Sequence, residues 1–414
     1  MRKLSLTVIG MYALFLHAFS QSTPETSGSY KSQQLKVDEI NLVSGYYSQD
    51  GNHSAVTGGK GSQQLTDISN VVQIKFLRWD ELERKHSLEV ELGVDHHTAA
   101  SSAYVSLSGA SRTGGTRIYP SLNWKTEDEK HHNAVNWGIG YSGEYNYQSY
   151  NANLGYTRSS KDENREFSSK LQIFADRVKM IIPSELKTTS GSGVTTVTTA
   201  SGQTITNGGG DDGGIPSKGR FTFNLSNSYS RVINKNMQIA LLVDGVLQTG
   251  YLGMPFYRVV LHDGTTQMEN LPTIRAKLPL GLRFNYFAGD KVIFRTYYRY
   301  YVDTWGMQAH TLSLEVPFKF GSFFSISPFY RYYDQTAAFC FAPYGVHVEG
   351  ENYYTSNYNY SAFQSQYVGL NVRFAPASGI FGIRDFSMLE LRGGYYVQTT
   401  GLKAFNISMN LKFK

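Results

Sequence analysis

The sequence predicts an all-β protein, an antiparallel up-and-down transmembrane β-barrel of about 16 strands, within a range of about 14 to 18. Apolar and polar residues alternate in successive segments up to the carboxyl terminus, where Phe405, Ile407 and Met409 are separated by Asn406 and Ser408. Because successive side chains of a strand point to opposite faces, this period of two gives each strand one apolar and one polar face. The alternation of long and short connections then favours a membrane barrel over a soluble sandwich.

Residues 1–20 have the features of a secretory signal. A positively charged start and an apolar stretch precede Ala18-Phe19-Ser20, which fits a small-x-small cleavage site. We expect residues 21–35 to form a short periplasmic lead-in and residues 36–414 to form the barrel. The chain is therefore predicted to be exported and, as a barrel, to reside in the outer membrane.

Each predicted strand carries its own apolar face. The faces in chain order are Ile40, Leu42 and Tyr46 in the first strand; Val72, Ile74 and Phe76 in the second; Leu88, Val90, Leu92 and Val94 in the third; Val135, Trp137, Ile139 and Tyr141 in the fifth; Leu278, Leu280, Leu282 and Phe284 in the tenth; Leu312, Leu314, Val316 and Phe318 in the twelfth; and Val368, Leu370, Val372 and Phe374 in the fourteenth. In a membrane barrel these faces contact lipid, and the polar faces line the lumen.

The connections that follow odd-numbered strands differ in length from those that follow even-numbered strands. The long connections are 49–67, 96–115, 180–218, 249–273 and 337–361, and all of them fall on one side of the predicted barrel. The connections on the other side are short or compact. Long outer loops with short periplasmic turns are typical of bacterial outer-membrane barrels. The Thr, Ser and Gly-rich part, 188–217, is predicted to be a flexible outer loop.

Composition excludes several classes of protein. Hydrophobic residues make up 41% of the chain and charged residues 17%, which fits neither a disordered chain nor a helical membrane protein. The net charge of +6 is spread without a Lys/Arg block, so we expect no nucleic-acid binding. The single cysteine, Cys340, excludes an internal disulfide, and we expect it to be an ordinary small residue near a loop.

The residues that could support catalysis or metal binding are few and separated. His96 and His97 fall at an outer loop, whereas His131 and His132 fall in a periplasmic turn, so we predict no metal site. Asp303, His310 and Ser313 come nearest to a catalytic triad, but Ser313 falls on the opposite strand face from His310. We therefore predict no catalytic residue and no cofactor, with a hydrolase at the barrel rim as an alternative.

The predicted lumen face is basic on one side of the ring. Its cations on strands ten to fourteen are Arg275, Lys277, Arg283, Arg295, Arg299, Lys319, Arg331 and Arg373. Nearly opposite, on strand three, lie Glu89, Glu91 and Asp95. Two walls of opposite charge would tune the ion selectivity of a pore. Alternatively, ion pairs and stacked Arg and Tyr side chains would fill a closed barrel.

Two functions therefore remain open from the residues alone. The first is a passive pore or a surface-binding barrel for small solutes, and the second is a non-conducting structural or partner-binding barrel. The expected partners are outer-membrane lipid and the barrel-assembly machinery, which recognises an apolar C-terminal strand. Phe413 would provide the aromatic signal, one residue before the terminal Lys414. Nothing in the sequence marks an oligomer interface.

Several motifs are specific enough to suggest a family. They are Tyr251-Leu252-Gly253-Met254-Pro255-Phe256-Tyr257-Arg258-Val259, Glu269-Asn270-Leu271-Pro272, Tyr298-Arg299-Tyr300-Tyr301-Val302-Asp303-Thr304-Trp305-Gly306, Thr116-Arg117-Ile118-Tyr119-Pro120-Ser121 and Tyr330-Arg331-Tyr332-Tyr333-Asp334-Gln335. With them, nearly the whole mature chain resembles the bacterial family catalogued as domain of unknown function 3570. The resemblance implies an exported outer-membrane β protein and supplies no catalytic residues.

Overall fold

The computed structural model describes residues 32–98, 114–180, 188–190, 194–198, 204–208 and 216–414. Within these residues the main sheet contains seventeen antiparallel segments. Two of them are halves of one interrupted strand, so the barrel has sixteen strands. They are β1 (Lys36–Asp50), β2 (Leu65–Trp79), β3 (Lys85–His97), β4 (Gly115–Asp128), β5 (Asn133–Glu144), β6 (Tyr147–Ser159), β7 (Arg165–Val178), β8 (Lys218–Asn234), β9 (Met237–Gly250), β10 (Ile274–Ala288), β11 (Val292–Asp303), β12 (Gln308–Glu315, continued by Phe318–Lys319), β13 (Phe324–Gln335), β14 (Phe363–Phe374), β15 (Phe386–Gln398) and β16 (Lys403–Phe413).

The barrel closes between its first and last strands. β1 pairs with β2 along one edge and with β16 along the other, in a register that runs from Ile40 opposite Phe413 to Asp50 opposite Lys403. Closure leaves the sheet without a free edge, so the backbone donors and acceptors of the strands are paired within the sheet. The prediction of an all-β antiparallel barrel of about 16 strands is confirmed.

The outward face of the barrel is apolar and uncovered. Leu154 on β6 is 57% exposed and Val368 on β14 is 55% exposed, and the strands between them show the same pattern of exposed apolar residues at alternate positions. Such a wide apolar surface is unfavourable in water and is satisfied by acyl chains. In the part of the chain that the structure describes, no helix is long and apolar enough to cross a membrane.

The long connections lie together on one side of the barrel, as the parity of the strands predicts. The strand ends on this side, predicted to be the outer side, are joined by the connections 51–64, 98–114, 179–217, 251–273 and 336–362. The opposite side, predicted to be periplasmic, carries tight turns such as 235–236 and 289–291, and its longest connection is 375–385.

One predicted strand is broken. The alternation of Leu312, Leu314, Val316 and Phe318 predicts an uninterrupted twelfth strand, but β12 stops at Glu315 and resumes at Phe318–Lys319. Pro317 has no backbone N–H and cannot donate to the sheet ladder. The prediction was wrong at this point because apolar periodicity does not register the loss of a donor.

The Thr, Ser and Gly-rich segment carries regular structure that its composition did not predict. Thr188–Ser190, Val194–Thr198 and Thr204–Gly208 pair as a small three-stranded antiparallel sheet. The predicted secretory signal, residues 1–20, lies outside the described residues.

Candidate functional site: the cap and the lumen

Three outer loops fold together into one unit. The cap is defined here as the connections 51–64, 251–273 and 336–362 with the turn 304–307. The loop 251–273 contains a hairpin of Arg258–Val260 and Thr266–Met268. The loop 336–362 is held to this hairpin by a hydrogen bond from the Gly345 N–H to the Val260 carbonyl, 3.1 Å long.

The cap crosses the mouth of the barrel. The connection β1–β2 and the connection β9–β10 lie half-way round the ring from each other in strand order. Nevertheless, Arg258 Nη1 of the second donates to the Val56 carbonyl of the first at 2.5 Å. His53 also stacks on Tyr358 of the third loop, with ring centroids 3.7 Å apart. Loops from opposite sides can meet only above the lumen, so the cap bridges its outer entrance.

The cap has an apolar core of its own. Trp305 is 1% exposed and packs with buried residues of its own turn and of the connections 251–273 and 336–362: Leu252, Leu271, Met307, Ala338 and Cys340. The indole Nε1 donates to the Ile274 carbonyl at the top of β10, 3.1 Å away. Burial of these apolar side chains stabilises the loop assembly in the way that a small hydrophobic core stabilises a domain.

A buried ion pair joins this core to the barrel wall. Arg275 on β10 donates to the Asp303 carboxylate from Nε at 3.0 Å and from Nη2 at 2.5 Å. Asp303 also accepts from the backbone N–H groups of Trp305 and Met307, which fixes the turn between β11 and β12. Gly306 in this turn has φ +80°, a conformation that favours glycine.

Glu269 links two loops of the cap and is 5% exposed. Its carboxylate accepts hydrogen bonds from the Met254 N–H at 3.1 Å and from the Thr355 hydroxyl at 2.5 Å. Burial raises the pKa of Glu269 from 4.5 to about 7, despite the two donors, because they compensate only in part for lost hydration. Glu269 opens the motif Glu269-Asn270-Leu271-Pro272 but was given no role from the sequence, although a glutamate between Met268 and Leu271 was a signal for a buried carboxyl.

The basic residues predicted for the lumen face lie at positions that alternate with the exposed apolar ones, and therefore point inward. Arg275 forms the buried ion pair with Asp303 that joins the cap core to the barrel wall. Three others, Arg283, Arg295 and Arg331, line a common cavity of about 590 Å³. Outside this lining, Lys277 and Arg299 lie on β10 and β11, and Lys319 and Arg373 lie on β12 and β14. The cavity is also lined by Arg392 of β15, which was not predicted for the lumen face although the outward positions of Leu391 and Tyr395 indicate that it points inward.

The acidic residues of β3 are partly neutralised by cations on the two adjacent strands, β2 and β4. Asp95 accepts from Arg117 Nη2 at 2.6 Å and from the Tyr119 hydroxyl at 2.8 Å. Glu89 stands opposite Lys75 in the register with β2. Of the three predicted acids, Glu91 is the one whose cross-strand neighbours, Gln73 and Ser121, carry no charge. The negative side of the lumen is therefore weaker than a simple count of carboxylates suggests.

The nearest approach to a catalytic triad is not assembled. Asp303 is buried against Arg275, whereas the His310 ring nitrogen Nδ1 lies 2.8 Å from the Tyr298 hydroxyl on the outward face. Ser313 points to the lumen cavity instead. His97 pairs with Glu144, and His131 pairs with Asp128 on the periplasmic side. Within the described residues, no three His, Cys, Asp or Glu side chains are grouped to hold a metal ion.

A family model described as "Protein of unknown function (DUF3570)" matches residues 113–401. The chain belongs to this family. The region that defines DUF3570 begins just before β4 and ends just before β16. It therefore includes two of the three cap loops, the turn 304–307 and all residues that line the lumen cavity.

Solved structures of similar form share little sequence with this DUF3570 protein. The outer membrane protein OprD from Pseudomonas aeruginosa is 8% identical, with 92% of this chain and 93% of that chain covered and a TM-score of 0.42. CdiB from Acinetobacter baumannii is 9% identical, with coverages of 92% and 66% and a TM-score of 0.44. The TodX monoaromatic hydrocarbon channel is 8% identical, with coverages of 90% and 88% and a TM-score of 0.40. A search of curated proteins gives no match to the chain.

Proposed function

We propose that this DUF3570 protein is an outer-membrane barrel that lets small hydrophilic solutes pass through its lumen, with the cap restricting the outer entrance. The observation that carries the proposal is the cavity of about 590 Å³ inside the barrel, whose lining combines aromatic rings with four arginines and one carboxylate. A barrel that served only as a membrane anchor would gain more stability from a tightly packed interior.

The charges in this cavity favour anions over cations. Its lining contains four arginines, namely Arg283, Arg295, Arg331 and Arg392, but one carboxylate, that of Glu315. Fixed charges on the wall of a narrow passage attract counter-ions and exclude ions of the same sign. The solutes proposed for the passage are therefore negatively charged or carry a negative group.

The cap supplies the barrier at the outer end. Its contacts cross the mouth, and its core is anchored through Arg275 and Asp303. Solutes pass when part of the cap moves, so the proposed passage opens intermittently rather than as a permanently wide pore.

Planar bilayer recording of the refolded mature protein tests this proposal. We expect discrete currents with anion selectivity, and Arg295→Glu and Arg299→Glu should shift the reversal potential toward cations. Arg158→Glu, on the outward face of β6, makes the same charge change away from the lumen and should leave the potential unchanged. Absence of any current, or equal shifts in all three variants, would contradict a conducting basic lumen.

A second candidate is a non-conducting barrel whose cap binds a partner. It is favoured by exposed apolar side chains on the cap, including Phe339 at 62% and Val346 at 55% exposure. Under this alternative, neither the wild-type protein nor a variant with a loosened cap would carry current.

We further propose that the protein resides in the outer membrane of a Gram-negative cell and is inserted through recognition of β16. Phe413 stacks on Phe386 of β15, with centroids 4.9 Å apart, at the periplasmic end of the last hairpin. A role without catalysis is proposed because Asp303, His310 and Ser313 point in different directions. Cell fractionation tests the location, and assembly of a Phe413→Ala variant tests the signal.

A further inference from the structure

The geometry points to an oxyanion-binding site in the lumen, where a carboxylate or phosphate group of a solute replaces Glu315 as the partner of Arg295 and Arg392. This inference names the solute class of the proposed passage and rests on that proposal. The site lies near the start of β11 and the end of the first part of β12, and near the middle of β13 to β15, inside the cavity described above.

Two aromatic rings form the floor of the site. Phe329 and Tyr367 lie 5.1 Å apart between ring centroids and are pressed against glycine positions of the neighbouring strands. A Cβ atom on Gly369 would lie 2.3 Å from Phe329 Cζ, and one on Gly394 would lie 2.5 Å from Tyr367 Cε2. Glycine at both positions therefore lets the rings lie close to the barrel wall and leaves the space above them open.

Two guanidinium groups lie on this floor. Arg392 Cζ is 4.0 Å from the ring centroid of Phe329, and Arg331 Cζ is 5.1 Å from that of Tyr367. Stacking engages the flat face of a guanidinium and leaves its N–H donors, which lie in the plane, available for an oxyanion. The rings therefore hold two cations inside the lumen without consuming their capacity to bind anions.

Glu315 occupies the position that a solute anion would take. Its Oε1 accepts from Arg295 Nη1 and its Oε2 accepts from Arg392 Nη1, both at 3.1 Å. A single carboxylate thus bridges cations from β11 and β15. Its two oxygens show that the spacing of these arginines suits a bidentate oxyanion.

The bridge is exchangeable because it is hydrated. The side chains of Arg295 and Arg392 are 52% and 37% exposed, and that of Glu315 is 21% exposed. Ion pairs this open to water contribute little stability, so an incoming anion can displace Glu315 at small cost. The remaining arginines of the lining, Arg283 and Arg331, leave the cavity with an excess of positive charge even when the bridge is intact.

The volume of the cavity also fits a small solute. Ligand pockets usually measure about 300 to 1,000 Å³, and this cavity measures about 590 Å³. Both carboxylates and phosphates match the fork of an arginine, so the site is assigned to oxyanions as a class, and separate probes distinguish the two sources.

Isothermal titration calorimetry of the refolded mature protein in detergent tests the site, with inorganic pyrophosphate and succinate as separate probes. We expect at least one probe to bind the wild-type protein, and the stronger binder identifies phosphate or carboxylate as the preferred group. Arg392→Gln should weaken binding at least tenfold, whereas Glu315→Gln should tighten it several-fold because it frees two arginines.

The signs of these effects exclude a trivial explanation. A misfolded variant loses binding, so tighter binding to Glu315→Gln cannot result from damage to the fold. Arg158→Gln, an exposed arginine on the outward face of β6, removes the same charge and should bind as the wild type does. No heat from either probe, or an Arg158→Gln loss as large as that of Arg392→Gln, would overturn the site.

This measurement is independent of conduction. Binding without current would refute the proposed passage but leave the oxyanion site standing. Current without binding would refute the site but leave the passage standing.

Discussion

The guanidinium of Arg275 lies 4.2 Å from the ring centroid of Trp305 and donates two hydrogen bonds to Asp303. Arg275 belongs to the barrel wall, whereas Trp305 is the centre of the cap core. The side chains of the ion pair are 9% and 0% exposed, so the pair is shielded from water. The position of the cap over the lumen is therefore coupled to one buried ion pair.

Replacement of Asp303 should release the cap without unfolding the barrel. Asp303→Asn leaves Arg275 buried without its counter-ion, and loss of one partner from a buried pair costs about 3–5 kcal/mol. We expect hydrogen exchange at the Phe339 amide, which donates to the Trp305 carbonyl, to accelerate by at least tenfold while the strand amides stay protected. Asp290→Asn, in an exposed periplasmic turn, is the matched control. Equal protection of the Phe339 amide in both variants would show that the pair does not hold the cap.

The cap should become less stable as the pH rises. The pKa of Glu269 is raised from 4.5 to about 7, so the folded cap binds this proton more tightly than the unfolded loop does. The stabilisation of the folded cap by the protonated Glu269 carboxyl is therefore complete below about pH 4.5 and is lost as the pH rises through about 7. From the shift, the loss amounts to about 3 kcal/mol at most.

Urea titration of a variant with Trp305 as its single tryptophan measures this effect. The cap transition, followed by Trp305 fluorescence, should occur at lower urea at pH 8 than at pH 5. Glu269→Gln should remove most of the difference, whereas Glu349→Gln, exposed in the neighbouring cap loop 336–362, should preserve it. If the pH dependence of the cap transition persisted in Glu269→Gln, another titrating group would be its cause.

The thiol of Cys340 should report the opening of the cap. Burial raises the pKa of Cys340 to about 11, so little of the reactive thiolate exists at neutral pH in the closed cap. We expect slow labelling by a maleimide in the wild-type protein and labelling at least ten times faster in Asp303→Asn. Fast labelling of the wild-type protein would mean that the loop 336–362 is not packed as described.

Adjacent positions on β6 should respond in opposite ways to the same substitution. Leu154 is 57% exposed on the outward face. Its neighbour Asn153 points to the lumen, where its side chain donates a hydrogen bond to the Asn123 side chain of β4. Arginine on the lipid face near the bilayer midplane costs about 2–4 kcal/mol. Leu154→Arg should therefore lower the free energy of unfolding in vesicles by more than Asn153→Arg does. The reverse order would contradict the assignment of the two faces.

The sequence was sufficient to predict the barrel but not the cap. Strands such as β14 follow from residues two positions apart, for example Val368 and Leu370, because alternation reflects the surroundings of each face directly. The cap depends on contacts such as that between Val56 and Arg258, whose separation along the chain leaves no periodic trace. The cavity was foreseen in part, through Arg283, Arg295 and Arg331. Arg392 was missed although the alternation beside Leu391 places it on the lumen face, and only its contacts with Phe329 and Glu315 leave no trace in spacing.

Single-channel recording of the wild-type protein beside Trp305→Ala tests the central claim most directly, because truncation of this buried side chain costs the cap about 3–5 kcal/mol. The account predicts brief, anion-selective openings in the wild-type protein and longer or larger openings, with the same selectivity, in Trp305→Ala. Identical currents in the two proteins, or no current in either, would contradict a charged lumen that is gated by the cap.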